Sequence, residues 1–407
     1  MVFRKYIRCL TCDATSTLRV SPGHNPYQKH DFMCPSCDEP IGVGLEVDLI
    51  NATADFEFYE NCEESDEEGK VINLNPHFLV PEESANTDGI FPWMEQVVYI
   101  QGYSKVEAII LEDDPIQIQG MPIHMDVYTT IGGLNNVTEI WNSIKKGWSL
   151  KNNKKHALSL RQLKKYSPPK FTGSKNLNNV IRDFSYRMIL PKMYIYLDQT
   201  DLAIEKAKKT NEEEFNRFIE FYKQSLHEEH FKRYLTTYSE YFDNYSEYDQ
   251  AILYTKNMTP VPEGCIATSH GFNNTKMFYG NAYENYTTNI SILACLNNII
   301  CGRKFDEFQN MDLNQYLTIN KANRGKPFSQ NTLLKDFLSC TDSTLRNASH
   351  HQSIELIDKG RNVSFRSGGT GQVQVISYSK YIEKCNSLML FSAALLQLEI
   401  KFLEHTE

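Results

Sequence analysis

The sequence predicts an α+β protein of several domains, with a β-rich amino-terminal part and a mainly helical remainder. Three observations predict it. Two Cys-x-x-Cys pairs fall within the first 37 residues, and short apolar runs punctuated by turn signals follow over residues 46–135. From Val137 onward, apolar residues recur every three to four positions. A chain of 407 residues with 41% hydrophobic and 23% charged residues has room for about two to four domains and reads as globular.

The first element, over residues 1–45, is built on Cys9-x-x-Cys12 and Cys34-x-x-Cys37, with 21 residues between the pairs. A Cys-x-x-Cys turn supplies two soft donors from one tight knuckle, and two such knuckles close a tetrahedral site with no open position. The spacing therefore predicts a zinc ribbon whose Zn2+ is structural rather than catalytic. His24 and His30 lie between the knuckles and are candidate substitutes for one ligand. The other six cysteines (Cys62, Cys265, Cys295, Cys301, Cys340, Cys385) are scattered, as core thiols are.

The second segment, 46–135, reads as a small β-rich domain from Gly44-Leu-Glu-Val-Asp-Leu-Ile, Val97-Val-Tyr-Ile and Val106-Glu-Ala-Ile-Ile-Leu, with turns at Asp114-Pro115 and Gly132-Gly133. Glu63-Glu-Ser-Asp-Glu-Glu reads as a solvated acidic loop. Glu112-Asp-Asp114 reads as part of a turn rather than as a paired acid and base.

The third segment, 136–265, is helical. Trp141, Ile144 and Trp148 fit one helix and Leu158 to Leu163 another; Pro168-Pro169 and Gly173-Ser174 mark a break. Asn211 to Tyr254 fits two or three amphipathic helices, and Met258-Thr-Pro-Val-Pro-Glu-Gly264 is the best linker candidate. His227-Glu-Glu-His230 reads as a solvated helix face, because no third metal ligand lies near it in sequence.

The final segment, 266–407, predicts a four-to-five-helix bundle with one inserted hairpin. Its long helices are Asn281 to Arg303 and Ser379 to Leu403, with shorter ones over Asp312 to Asn323 and Asn331 to Leu338. Asp342 or Ser343 caps a helix carrying Leu345, Ala348, Ile354 and Ile357 that stops near Gly360. Val363-Ser-Phe and Val373-Gln-Val-Ile form the hairpin around Ser367-Gly-Gly-Thr-Gly, which lacks the Lys-Ser/Thr of a phosphate loop.

Net charge is −9, which taken whole disfavours a nucleic-acid binder. The sum hides an asymmetry: Lys145 to Lys192 holds thirteen Lys and Arg against one acid, Asp183, so that segment carries +12 and the rest −21. Local charge sets the field that a phosphate backbone meets. Lys145, Lys146, Lys154, Lys155, Lys164, Lys165 and Lys170 are interleaved with Trp148, Tyr166 and Phe171, a mixture suited to single-stranded RNA. The opening Met-Val-Phe-Arg-Lys is no signal peptide, and the longest apolar run, Leu388 to Leu398, is too short to span a bilayer. A cytoplasmic protein without membrane contact is expected.

The most informative string is Thr344-Leu-Arg346-Asn347-Ala348-Ser349-His350-His351. An Arg, a polar residue directly after it, a short gap and a His, on a helix of a carboxy-terminal bundle, resemble the HEPN superfamily of prokaryotic toxins, abortive-infection proteins and other antiviral nucleases. The form Arg-Asn-Ala-x-x-His maps onto Arg346, Asn347, Ala348 and His351. The wider likeness runs from about Phe278 to Leu403, including Phe278-Tyr-Gly-Asn-Ala-Tyr and Ile376-Ser-Tyr-Ser. The resemblance implies a metal-independent endoribonuclease, an antiviral effector or toxin, acting as a homodimer through this bundle with two motif copies in one cleft. An inhibitory or sensing partner is expected to restrain it.

The residue types suit the chemistry. RNA carries its own nucleophile, the 2′-hydroxyl; imidazole exchanges protons near neutral pH, and guanidinium binds the extra charge of a five-coordinate phosphorus. Asn347 orients the imidazole or binds a phosphate oxygen. On an ideal helix His350 lies about 40° from Arg346 and His351 about 140° away, so spacing favours His350 while the resemblance favours His351. His351 is taken as catalytic and His350 as auxiliary. Two other readings stand beside this one: a non-catalytic scaffold binding RNA or protein, and a zinc-dependent enzyme, which a closed cysteine site disfavours.

Overall fold

Seven strands open the chain: β1 (Phe3–Cys9), β2 (Thr15–Val20), β3 (Tyr27–Met33), β4 (Pro40–Asp48), β5 (Thr53–Glu60), β6 (Cys62–Glu64) and β7 (Lys70–Leu74). The structure is a computed structural model that describes all residues except 1, 24–25, 49–50, 90–92, 101–136, 167–170, 172, 269–270, 352, 368–370 and 406–407. The described chain gathers into two compact units, each assembled from three stretches. The first holds residues 1–140, 243–276 and 351–386; the second holds 141–242, 277–350 and 387–407.

In the first unit the strands form two sheets, ordered β6-β1-β2-β7 and β3-β4-β5. All neighbours are antiparallel except β2 and β7, which run parallel. The strand period explains β4, where Ile41, Val43, Leu45 and Val47 alternate into the core. On its other face Gly42 and Gly44 lie beneath the rings of Tyr59 and Tyr27. A Cβ on Gly42 would sit 2.2 Å from the Tyr59 ring, so any side chain there would have to displace that ring. Ile7, Leu18, Val20, Phe32, Ile72 and Leu74 complete the same core.

Gly44-Leu-Glu-Val lies in β4, as the alternation predicts, but Val97-Val-Tyr-Ile lies in a helix over 94–100. Trp93, Gln96 and Ile100 are buried there while Val98 is exposed, a spacing of three to four that overrides the β-branched composition. Val106-Glu-Ala-Ile-Ile-Leu, Glu112-Asp-Asp114 and the two turns that follow lie outside the described residues. The acidic run is solvated, as expected, although Glu63 and Glu64 belong to β6.

The first unit also contains the hairpin predicted from Val363-Ser-Phe and Val373-Gln-Val-Ile, enlarged to three strands. Ile354–Ile357, Asn362–Phe365 and Gln374–Ser377 form an antiparallel meander. The helix expected to carry Ile354 and Ile357 therefore ends at His350. Asp358 and Lys359 take positive φ (51° and 58°), the backbone of a tight primed turn, which folds this segment back as a strand. The segment 258–264 is irregular as expected, but Thr259 and Val261 are buried and both flanks belong to the same unit.

His30 on β3 is fully buried, and burial lowers its imidazole from 6.5 to about 4, with His77 nearby adding to the effect. His77 itself is hydrogen-bonded to Asp249 at 2.6 Å. Because the folded pKa lies below the unfolded one, the unfolded chain binds the proton first. Stability is then complete above about pH 6.5 and falls as pH drops towards 4, by roughly 3 kcal/mol at most. Urea unfolding at pH 7 and pH 4.5 is expected to show a smaller loss for His30→Leu than for the wild type. An equal loss in both would assign the acid sensitivity elsewhere.

The second unit is helical, as the period from Val137 predicts. It is built around an aromatic core in which Trp141 packs on Tyr238 and Phe242, with ring centroids 5.2 and 5.6 Å apart. The expected Asn281 to Arg303 helix is two helices, Phe272–Asn289 and Ser291–Ile300. Asp312 and Gln315 form a capping box at the short helix Leu313–Thr318.

His230 is not on a solvated face. It is buried and hydrogen-bonds Glu399 at 3.0 Å, while Tyr222 and Tyr234 each donate to that carboxylate at 2.7 Å. A carboxylate from a helix 169 residues away satisfies the imidazole, which reading along one helix does not reveal. The last helix, Tyr378–Glu404, is the one described helix long and apolar enough to cross a membrane. Of its most apolar window 83% is buried inside the protein, as in a core helix.

Candidate functional site

Two sites are built from the predicted residues, one in each unit. The first is the cysteine cluster. The β1–β2 and β3–β4 turns are near copies of one another. Asp13 N–H donates to the Cys9 carbonyl (3.0 Å) and Asp38 N–H to the Cys34 carbonyl (2.9 Å). Asp13 and Asp38 both take the left-handed conformation, with φ of 58° and 62°. This repeated backbone aims each pair of thiols inward. Cys9 Sγ lies 3.8 Å from Cys37 Sγ, Cys12 Sγ lies 3.8 Å from Cys34 Sγ, and all four fall within 4.8 Å of one another.

Four sulfurs at about 2.3 Å from a tetrahedral ion stand roughly 3.8 Å apart, so the donor set fits a metal ion of that kind. Cys9 and Cys34 are buried and Cys12 and Cys37 half-buried. Burial alone would raise the Cys9 thiol, but the N–H groups of Cys12 and Thr11 aimed at its sulfur bring it down to about 7. His30 lies outside this cluster, and His24 lies outside the described residues.

The second site is centred on the helix Ser343–His350. Asp342 caps it, its Oδ1 accepting from the N–H groups of Thr344 and Leu345. Leu345 and Ala348 are buried, which turns Arg346, Asn347 and His350 to the flanks. The helix runs along Phe272–Asn289 in matched steps of four residues. Arg346 ion-pairs with Glu284, and the His350 ring lies over Gly280, where an added Cβ would meet Nε2 at 3.0 Å. Arg346 Nη1 also donates to Asn347 Oδ1 at 2.7 Å.

Lys321 completes the arrangement, contacting the Glu284 carboxylate at 2.6 Å and its backbone carbonyl at 3.0 Å. Burial works to raise the Glu284 carboxyl, but Lys321 and Arg346 hold it below the usual carboxylate range. Arg346 Nε is buried and has no hydrogen-bond partner. Among the described residues, no hydrogen bond links Arg346 to His350.

The structure thus brings Arg346, Asn347 and His350 to one stretch of surface. His351 is exposed in the turn that follows. Glu284 and Lys321 were not anticipated. Neither stands near the motif in sequence, and the only available signal was a single acid at 284 within a largely uncharged stretch of its helix.

In the basic stretch, Lys146, Lys154, Lys155, Lys164 and Lys165 are exposed and Lys145 is half-buried; Lys170 lies outside the described residues. Of the interleaved aromatics, Tyr166 is not free to stack on bases. Tyr166 is buried, donates to Asp183 at 2.6 Å and meets Phe171 edge-on, and Trp148 is half-buried.

No protein-family profile, curated protein or solved structure matches this chain.

Proposed function

We propose that the chain is a metal-independent endoribonuclease of the HEPN type, with Arg346, Asn347 and His351 as its catalytic residues and His350 as an auxiliary. The observation that carries this reading is the state of Arg346. Its guanidinium is held in place by Asn347 and Glu284, on a helix that ends at the exposed His350. A half-buried guanidinium already oriented by two neighbours offers a fixed cation to a phosphate oxygen.

In the proposed reaction one imidazole removes the proton of the 2′-hydroxyl, which attacks the adjacent phosphorus. A second imidazole, from the other protomer of a homodimer, protonates the departing 5′-oxygen. The products are a 2′,3′-cyclic phosphate and a 5′-hydroxyl. Arg346 binds the charge that accumulates on the phosphoryl oxygens. The four cysteines hold structural Zn2+, and the exposed lysines of the basic stretch attract the RNA backbone. The setting is that of an antiviral effector or toxin kept in check by a sensing or inhibitory partner.

The test is cleavage of a labelled RNA by purified protein in magnesium-free buffer. Turnover is expected, and its absence under dimer-forming conditions would favour an inert RNA- or protein-binding scaffold. The Glu284 contact supports one further prediction. Its carboxylate neutralises Arg346 and competes with phosphate for it. Glu284→Gln is expected to tighten RNA binding about fivefold at low salt, a change of roughly 1 kcal/mol. Weaker binding would instead make Glu284 a residue that positions Arg346.

A further inference from the structure

The second unit contains a cavity of about 880 Å3, at the large end of the range for small-molecule sites. It opens between the end of the Ser291–Ile300 helix, the Leu313–Thr318 helix and the segment 323–332. None of its eighteen lining residues is acidic, in a chain whose net charge is −9, and three are cations: Lys206, Arg303 and Lys326. Lys206 and Lys326 side chains make no hydrogen bond or ion pair among the described residues, and Arg303, whose Nη2 donates to Asn298 Oδ1 at 2.9 Å, has no acidic partner there.

Amides supply most of the remaining polar lining, with Thr332 and Cys301. Asn297 and Asn298 are spent on the fold, donating to the Pro327 and Phe305 carbonyls. The side chains of Gln309, Asn310, Asn323 and Gln330 are unspent among the described residues. Each offers a donor and an acceptor in one plane. Ile300, Met311, Ile319 and the stacked pair Phe308–Tyr316, with centroids 4.3 Å apart, supply an apolar wall.

We propose that this cavity binds a ribonucleotide, with its phosphate on Lys206, Arg303 and Lys326 and its base edge on the free amides. A neutral sugar would leave three cations uncompensated. A bare phosphate would use neither the amide acceptors nor the apolar wall. A nucleotide engages all three features, since side-chain amides pair with base edges and cations with phosphate. The cavity shares no residue with the Arg346 site, so the proposal does not depend on cleavage.

The test is titration calorimetry of the full-length protein with AMP, CMP, GMP and UMP, with the corresponding nucleosides, and with inorganic phosphate. At least one nucleotide is expected to bind with one site per chain, about tenfold or more tighter than its nucleoside or phosphate. Lys206 and Lys326 are exposed, so the double variant Lys206→Ala/Lys326→Ala is expected to fold and to lose about tenfold in affinity. A six-nucleotide RNA binding more tightly than any monomer, and weakened by the same double variant, would identify the nucleotide as a strand end. No binding at millimolar concentration, or binding indifferent to the double variant, would overturn the proposal.

Discussion

Arg346→Ala is expected to reduce RNA cleavage by about a hundredfold to a thousandfold while leaving the fold and the metal content intact. That magnitude is typical for removing one donor aimed at charge that develops in a transition state. The side chain is half-buried on the flank of its helix, and the helix is anchored by Leu345 and Ala348 instead. Its loss leaves Glu284 with Lys321 still in contact, so no carboxylate is stranded. His351→Ala is expected to cost as much, because removing the general base leaves the 2′-hydroxyl unactivated. His350→Ala is expected to cost less. If His350→Ala proves the more damaging, the face shared with Arg346 along Phe272–Asn289 decides the chemistry, and the two histidines exchange roles.

Metal removal is the second large effect. Each chain is expected to carry one zinc ion, measured by elemental analysis, and a strong chelator is expected to release it with loss of the strand signal from the first unit. Small four-cysteine modules derive roughly 10–16 kcal/mol from the ion. Here Cys9 and Cys34 are themselves part of the core with Ile7, Leu18 and Phe32, so losing the ion also exposes apolar surface. The double variant Cys12→Ser/Cys37→Ser alters the two half-buried donors and is expected to abolish stoichiometric zinc. Stoichiometric protein without zinc, folded and insensitive to chelator, would return the cysteines to ordinary thiols. If the four cysteines hold a structural ion, as proposed, RNA cleavage is expected to follow the folded fraction rather than free metal in the buffer.

Much of the local structure was legible because it is written in short periods. The two knuckles, the alternation in β4 and the helices from Val137 each declare themselves within about ten residues. Most of the differences arise where a distant partner decides. Ile354 and Ile357 fit a helical spacing, but pairing with Asn362–Phe365 makes them a strand. Val97-Val-Tyr-Ile has strand composition, but its burial follows a helix. His230 looks solvated until Glu399 arrives from the last helix. The Arg346 motif was visible as a string, whereas the Glu284–Lys321 contacts that restrain it join three segments that no spacing rule connects. Tyr166 shows the same limit: an aromatic among lysines suggests base stacking, yet Asp183 and Phe171 have claimed it.

The most direct measurement is the chemistry of the RNA ends left by the wild-type protein. Attack by the 2′-hydroxyl predicts 2′,3′-cyclic phosphate and 5′-hydroxyl termini, in magnesium-free buffer, and no cleavage at a position carrying 2′-deoxyribose. Products ending in 3′-hydroxyl and 5′-phosphate, or cutting that persists at the 2′-deoxy position, would contradict a site built on Arg346 and His351.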